Sequence, residues 1–175
     1  MAGATEIQLH GSGASDPEVR LKLRTAFGRF ATGVTIVTAR AGDGEIVGMT
    51  ANSFASVSLD PPLLLWSIAK AARSRGVFEM ADHFAVHVLG QHQQPLAQRF
   101  AVAGADKFEG VPLKLGVMDL PLLAEATATF QCRRWAAHDA GDHVILLGEI
   151  LSFHHTSEAP LVFHAGAYKC VTDAP

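Results

Sequence analysis

The residues best able to do chemistry crowd into one stretch, GMTANSFASVSLDPPLLLWS at positions 48–67. Thr50, Asn52, Ser53, Ser56 and Ser58 bring hydroxyls and an amide, interleaved with Ala51, Phe54, Ala55 and Val57. Small side chains let a backbone approach a flat ligand, and hydroxyls and amides bind phosphate or the polar atoms of a ring. Strongly apolar runs flank the stretch on both sides, which favours a ligand-binding edge over a polar connecting loop. Arg73-Ser74 is a second candidate. Free backbone N–H groups and the dipole at a helix start suit an anion, and Arg adds a bidentate fork. An ordinary N-cap serine beside a surface arginine has the same appearance. Arg99-Phe100 carries a similar ambiguity.

Other chemistries find little support. The chain has nine histidines, but no HExxH and no paired His-x-His spacing. His154 and His155 are adjacent, so on a strand they point to opposite faces. His143 differs, because it follows Gly141-Asp142 at a tight turn and opens a strand, which places an imidazole at a barrel rim. A solvated turn histidine fits that position equally well. GxSxG is absent, as are paired carboxylates suited to glycosides. Neither GxGxxG after a first strand nor GxxxxGK[ST] occurs, so a nucleotide would have to be held without either usual phosphate loop.

These candidates need elements to position them. Asp16-Pro17 reads as a helix start. Val19, Leu23, Phe27 and Phe30 then mark one apolar face, with Gly33 as the stop. VTIVTA (34–39), a Gly42-Asp43-Gly44 turn and EIVGMT (45–50) predict a β-hairpin. Strands follow at 56–59, 63–68 and 84–89, the first two separated by Asp60-Pro61-Pro62, where proline cannot donate to a ladder. Short helices are expected over 74–81 and 93–102, and a loop-rich segment over 103–121. Two long strands, 126–138 and 143–154, and a pair at 161–164 and 167–171 joined at Ala165-Gly166 complete the chain. Alternating βαβ units are missing, so the pattern predicts a mainly β antiparallel barrel with peripheral helices.

Composition bounds the rest. The chain has 175 residues, enough for one domain with a sizeable core. Residues are 49% hydrophobic and only 18% charged, so part of the apolar surface is expected to be buried against another subunit. The net charge is −3 with no Lys/Arg cluster, which argues against a nucleic-acid partner. No apolar run approaches the roughly 18 residues of a membrane span. The first 16 residues lack the pattern of a signal peptide and read as a flexible tail ahead of a 17–175 domain, and a cytoplasmic location is expected. Cys132 and Cys170 have no zinc or CxxC spacing; free thiols are expected, and the residues alone leave a bridge between them open.

Taken in order, FATGVTIVT (30–38), GMTANSFASVSLDPPLLLWS (48–67), ARS (72–74), FAVHVL (84–89), AQRF (97–100), DKFEG (106–110), GDHVILLGEI (141–150) and PLVFHAGAY (160–168) resemble the flavin reductase family with its FMN-binding split-barrel fold. The resemblance runs from about residue 17 to 171. It implies an antiparallel split β-barrel, a homodimer with the flavin in a groove near the subunit interface, and an NAD(P)H:flavin oxidoreductase. Such an enzyme reduces FAD or FMN and supplies it to the oxygenase component of a two-component flavin-dependent monooxygenase. FAD and NADH are the favoured pair, with FMN and NADPH open.

Carried over by residue, the resemblance lays the flavin ring along Ile46, Val47, Gly48, Met49 and Thr50, with Asn52 and Ser53 touching ring or chain. Ser67, Ile68 and Ala69 support the flavin tail, Arg73 and Ser74 meet its phosphate, and Arg99 and Phe100 make a further contact. Phe163, His164, Ala165 and Gly166 lie beside the pyridine nucleotide, and His143 borders the nicotinamide as the catalytic candidate. His87 stands where the family pattern often has Asn, and His164 stands at a variable position. The implied reaction is hydride transfer from nicotinamide C4 to flavin N5, with the rings about 3–3.5 Å apart; on that reading, small residues such as Gly48, Ala51 and Ser53 keep the rings from being held apart. A non-catalytic flavin-binding or flavin-sensing module on the same barrel is the alternative, and a ligand-free interaction barrel is a third reading.

Overall fold

Strand-forming residues and tight turns dictate most of the chain, which a computed structural model describes over residues 16–104 and 106–172. The predicted N-terminal tail therefore lies almost entirely outside the described residues. In chain order the elements are α1 (Pro17–Phe27), β1 (Thr32–Gly33), β2 (Thr35–Arg40), β3 (Ile46–Ala51), β4 (Ala55–Leu59), β5 (Pro62–Ala69), α2 (Arg75–Met80), β6 (His83–Val88), α3 (Gln94–Ala101), β7 (Leu113–Leu115), β8 (Pro121–Leu123), β9 (Ala128–Ala140), β10 (His143–His155), β11 (Leu161–His164) and β12 (Ala167–Cys170). Asp16 caps α1 as expected, its Oδ1 accepting from Glu18 N at 2.8 Å.

Seven strands form one antiparallel sheet in the order β3-β2-β6-β9-β10-β5-β4. Its backbone ladder ends at β3 on one side and β4 on the other. Side-chain bonds span the seam: Ser53 Oγ donates to Ser67 O at 3.1 Å and accepts from Ser67 N at 2.9 Å. Pro62 opens β5, a position where a missing N–H costs little. β1, β11 and β12 make a separate three-stranded sheet. Ala165 and Gly166, at φ 49° and 79°, form the tight turn between its last two strands.

The alternation of side chains along β2 explains how the layers stack. Val37 and Ala39 enter the barrel interior with Trp66, Ile68, Phe78, Phe84 and Leu146. Ile36 faces the other way, into a cluster with Leu89, Ala97, Phe100, Leu123 and Leu161. That second cluster seats α3 against the outer face of β2 and β3.

One expectation needs correction. The first helix ends at Phe27 rather than running to Gly33, because Gly28 turns the chain and its N–H is already shared between Arg24 O and Ala26 O; Gly33 belongs to β1. The loop-rich 103–121 segment also holds the short strand β7, which pairs with β8. Cys132 and Cys170 are both free thiols, and burial pushes the Cys132 thiol up to about 12.

Candidate functional site

Among the described residues β3 is an edge strand with β2 as its only ladder partner. Ala41 N donates to Glu45 O at the hairpin end, and antiparallel alternation then turns Val47, Met49 and Ala51 toward β2. The backbone N–H and C=O groups of Ile46, Gly48 and Thr50 therefore lie on the open edge. Their side chains face α3: the Thr50 hydroxyl donates to Ala97 O at 2.7 Å.

A cleft of about 780 Å³ opens along this edge. Its walls are β3 from Glu45 to Thr50, the start of α2 with Arg73, Ser74 and Val77, the end of α3 at Phe100, and the segment carrying Lys107 and Phe108. Ser74 stands at the N-cap of α2, yet its hydroxyl makes no capping bond. Phe100 and Phe108 meet edge to face at 5.0 Å and pack over Gly48. A Cβ on Gly48 would lie 2.5 Å from the Phe100 ring and 2.9 Å from Phe108.

The expected role of small residues in giving a ligand room is thus corrected. The space beside Gly48 is filled by two phenylalanines, Ala51 is buried in the barrel core, and Ser53 spends its hydroxyl on the Ser67 backbone. Packing inside the chain demands the small size of Gly48 and Ala51.

Of the residues singled out by sequence, the cleft unites Ile46, Val47, Gly48, Met49, Thr50, Arg73, Ser74 and Phe100. Asn52 is exposed just beyond β3. Ser67 and Ala69 sit on β5 past the end of its pairing with β4. Ile68 has a fully buried side chain in the barrel core, so it can meet a ligand only through its backbone. Arg99 turns away from the cleft; its Nη1 donates to Glu109 O at 2.8 Å, and it borders a smaller hollow beside His92 and Glu125.

His143 opens β10 opposite Ala69, while Lys70 N donates to Asp142 O, so the imidazole stands near the loop that leads to Arg73. His143 Nδ1 lies 2.7 Å from Asp142 Oδ1, and this hydrogen bond holds the Asp142 carboxyl below the usual range. Phe163 packs edge to face on Tyr168 and against the cluster that holds Phe100. His164, Ala165 and Gly166 form the adjoining hairpin end, where Ala165 N donates to Gly28 O at 2.8 Å.

Sequence reasoning missed Lys107, Phe108 and Val77 as cleft residues. The first two lie within DKFEG, but nothing local to that run reveals that it folds back onto Gly48. Among the described residues no group of histidine, cysteine and carboxylate side chains could hold a metal ion, and no helix is long and apolar enough to cross a membrane.

The open strand edge, the Arg-Ser pair and the aromatic floor line one cleft, a set of groups chemically able to hold a flat, polar-rimmed, anionic ligand. The flavin reductase like domain model matches residues 27–172, and the chain belongs to that family of flavin reductases. It is 49% identical to FMN reductase (NADH) SmoA of Agrobacterium fabrum over 83% of this chain and 82% of SmoA. The reductase component of flavin-dependent trigonelline monooxygenase from Acinetobacter baylyi is 44% identical over 84% of this chain and 47% of its own length, so the chain spans about half of that relative. Among solved structures, NADH:FAD oxidoreductase SgcE6 of Streptomyces globisporus C-1027, in complex with NAD and FAD fragments, superposes with a TM-score of 0.83 at 39% identity, over 91% of this chain and 96% of that one.

Proposed function

We propose that this chain uses NADH to reduce FAD or FMN bound along the open edge of β3, and that the reduced flavin passes to a separate flavin-dependent monooxygenase. The carrying observation is the cleft itself: about 780 Å³, within the range of small-molecule sites, with the strand-edge N–H groups of Gly48 and Thr50 on one wall and Arg73 with Ser74 on another. NADH is named in two of the similar proteins, whose names divide between FMN and FAD. Passage to an oxygenase is supported by the similarity to a monooxygenase reductase component.

When bound, the flavin supplies the redox chemistry by accepting a hydride from the reduced nicotinamide. The chain's own contribution is placement. The N–H groups of Gly48 and Thr50 offer donors to the polar rim of the ring, and Phe100 with Phe108 keeps water from the floor beside Gly48. Arg73 offers a guanidinium to the phosphate, and the unused Ser74 hydroxyl adds a donor. His143, held by Asp142, and the 163–166 segment border the nicotinamide.

Steady-state rates with each flavin crossed against each nicotinamide test this reading, and no nicotinamide oxidation in any combination would refute it. In the same assay Arg73→Ala should raise KM for FMN about tenfold and leave riboflavin nearly unchanged; equal effects on both would remove the phosphate contact. His143→Ala should raise KM for NADH severalfold more than KM for flavin, and unchanged kinetics for both substrates would take His143 out of the site.

We also infer a homodimer. Val19 and Leu23 of α1 are only half-buried, Phe27 and Phe30 beside them are exposed, and Trp135 and Phe153 project from the long strands. Such a spread of exposed large apolar side chains suits a subunit interface. Sedimentation at twice the 18.6 kDa chain mass is the expected result, and a monomer at micromolar concentration would contradict it.

A further inference from the structure

Among the described residues, no carboxylate neutralises the charge of Lys107. Its Nζ donates to Phe100 O at 2.9 Å and to Gly48 O at 3.2 Å. An ammonium has three N–H donors, so these two bonds leave one uncommitted. Glu45 and Asp106 also line the cleft, yet among the described residues no carboxylate pairs with Lys107. Partial burial strips water from the ammonium and lowers its pKa. Capping the last turn of α3 accounts for the bond to Phe100 O. It does not account for the bond to Gly48 O, which fixes the cation on the open edge of β3.

We propose that Lys107 stabilises the negative charge a flavin acquires on reduction, so that this site holds reduced flavin more tightly than the same cleft would without the cation. The proposal rests on the reading of the cleft as the flavin site. In the reaction NADH loses two electrons and one proton together as hydride and becomes NAD⁺. The flavin gains them, and its net charge falls by one until a second proton arrives from water. A cation already fixed beside the place where charge develops stabilises it with no reorganisation at that moment, most strongly where water is excluded. Both backbone carbonyls that hold Lys107 belong to rigid elements, so the charge is preset rather than recruited.

The test compares the full-length wild-type protein with Lys107→Met, Lys107→Gln and Lys107→Arg, each checked for folding by circular dichroism. Affinity for oxidised flavin comes from fluorescence titration, and the midpoint potential of bound flavin from anaerobic dye equilibration, with riboflavin and FMN in parallel. Lys107→Met is expected to cost reduced flavin about tenfold more affinity than oxidised flavin. That is a fall of about 30 mV in the bound midpoint potential for a two-electron couple. Lys107→Gln should match it, Lys107→Arg should restore most of the potential, and riboflavin should behave like FMN.

An unchanged potential with equal loss of both oxidation states would make Lys107 a structural cap on α3 and overturn the proposal. Loss confined to FMN would make it a phosphate contact, which overturns it too. Wild-type protein that binds neither flavin would overturn the reading of the cleft itself, and that outcome is distinct because it appears before any substitution at Lys107.

Discussion

Gly48→Val should weaken flavin binding at least about a hundredfold, about 2.7 kcal/mol of binding free energy, while the chain still folds. The cause is the packing of two rings over one missing side chain. The first carbon of any side chain at position 48 would lie 2.5 Å from Phe100 and 2.9 Å from Phe108. Phe100 is almost wholly buried and fixed on α3, so it cannot retreat cheaply. Phe108 is only half-buried and would be driven into the cleft. Overpacking of this kind costs about 1–3 kcal/mol of stability. Fluorescence titration with FMN and chemical denaturation measure the two effects. A double-mutant cycle with Phe100→Leu should show Gly48→Ala losing much of its cost, because residues in contact do not add. Wild-type flavin affinity in Gly48→Val would show that the ligand lies elsewhere.

The second large effect is a loss of stability in mild acid that traces to His87. This imidazole is fully buried, with Nε2 3.1 Å from the Thr38 hydroxyl and Nδ1 3.2 Å from that of Thr129. The Thr38 hydroxyl donates to Pro121 O at 2.6 Å, so it can only accept from His87. His87 thus carries its proton on Nε2 and accepts at Nδ1 from Thr129, and a second proton on Nδ1 would require the Thr129 hydroxyl to turn and accept instead. Burial, aided by nearby His154, pushes its pKa down to about 3.

The sign follows from which state binds the proton. The unfolded chain protonates this histidine near its ordinary value of about 6.5, while the folded chain resists until about 3. Stability from this group is therefore complete above about pH 6.5 and is lost as pH falls toward 3, by about 2 kcal/mol at pH 5. His87→Asn, whose amide can serve both threonines, should keep most of the stability at neutral pH and flatten the acid limb. Denaturant unfolding at pH 7 and pH 5 measures the difference. A wild-type acid limb in His87→Asn would assign the acid sensitivity to other groups.

Much of the fold is legible in local patterns. The run VTIVTA, the Gly42-Asp43-Gly44 turn and EIVGMT announce the β2–β3 hairpin, because β-branched residues and left-handed turn positions act over a few residues. The long strands and the tight Ala165-Gly166 turn are legible for the same reason. The helix limit was not, since Gly28 and Gly33 both look like stops, and only the pairing of β1 with β11 decides between them.

The site divides along the same line. Sequence by itself determined the family and the candidacy of the 46–50 strand, Arg73 and Ser74, since these are carried by residue types and motifs within short runs. Tertiary structure alone decided that Gly48 makes room for Phe100 and Phe108, that the Ser53 hydroxyl stitches the seam to Ser67, that Arg99 turns away, and that Lys107 brings a cation to the strand edge. The contacts of Gly48 with Phe100, Phe108 and Lys107 join segments far apart in the chain. Their meeting depends on strand order, register and the seating of α3, which no local periodicity encodes.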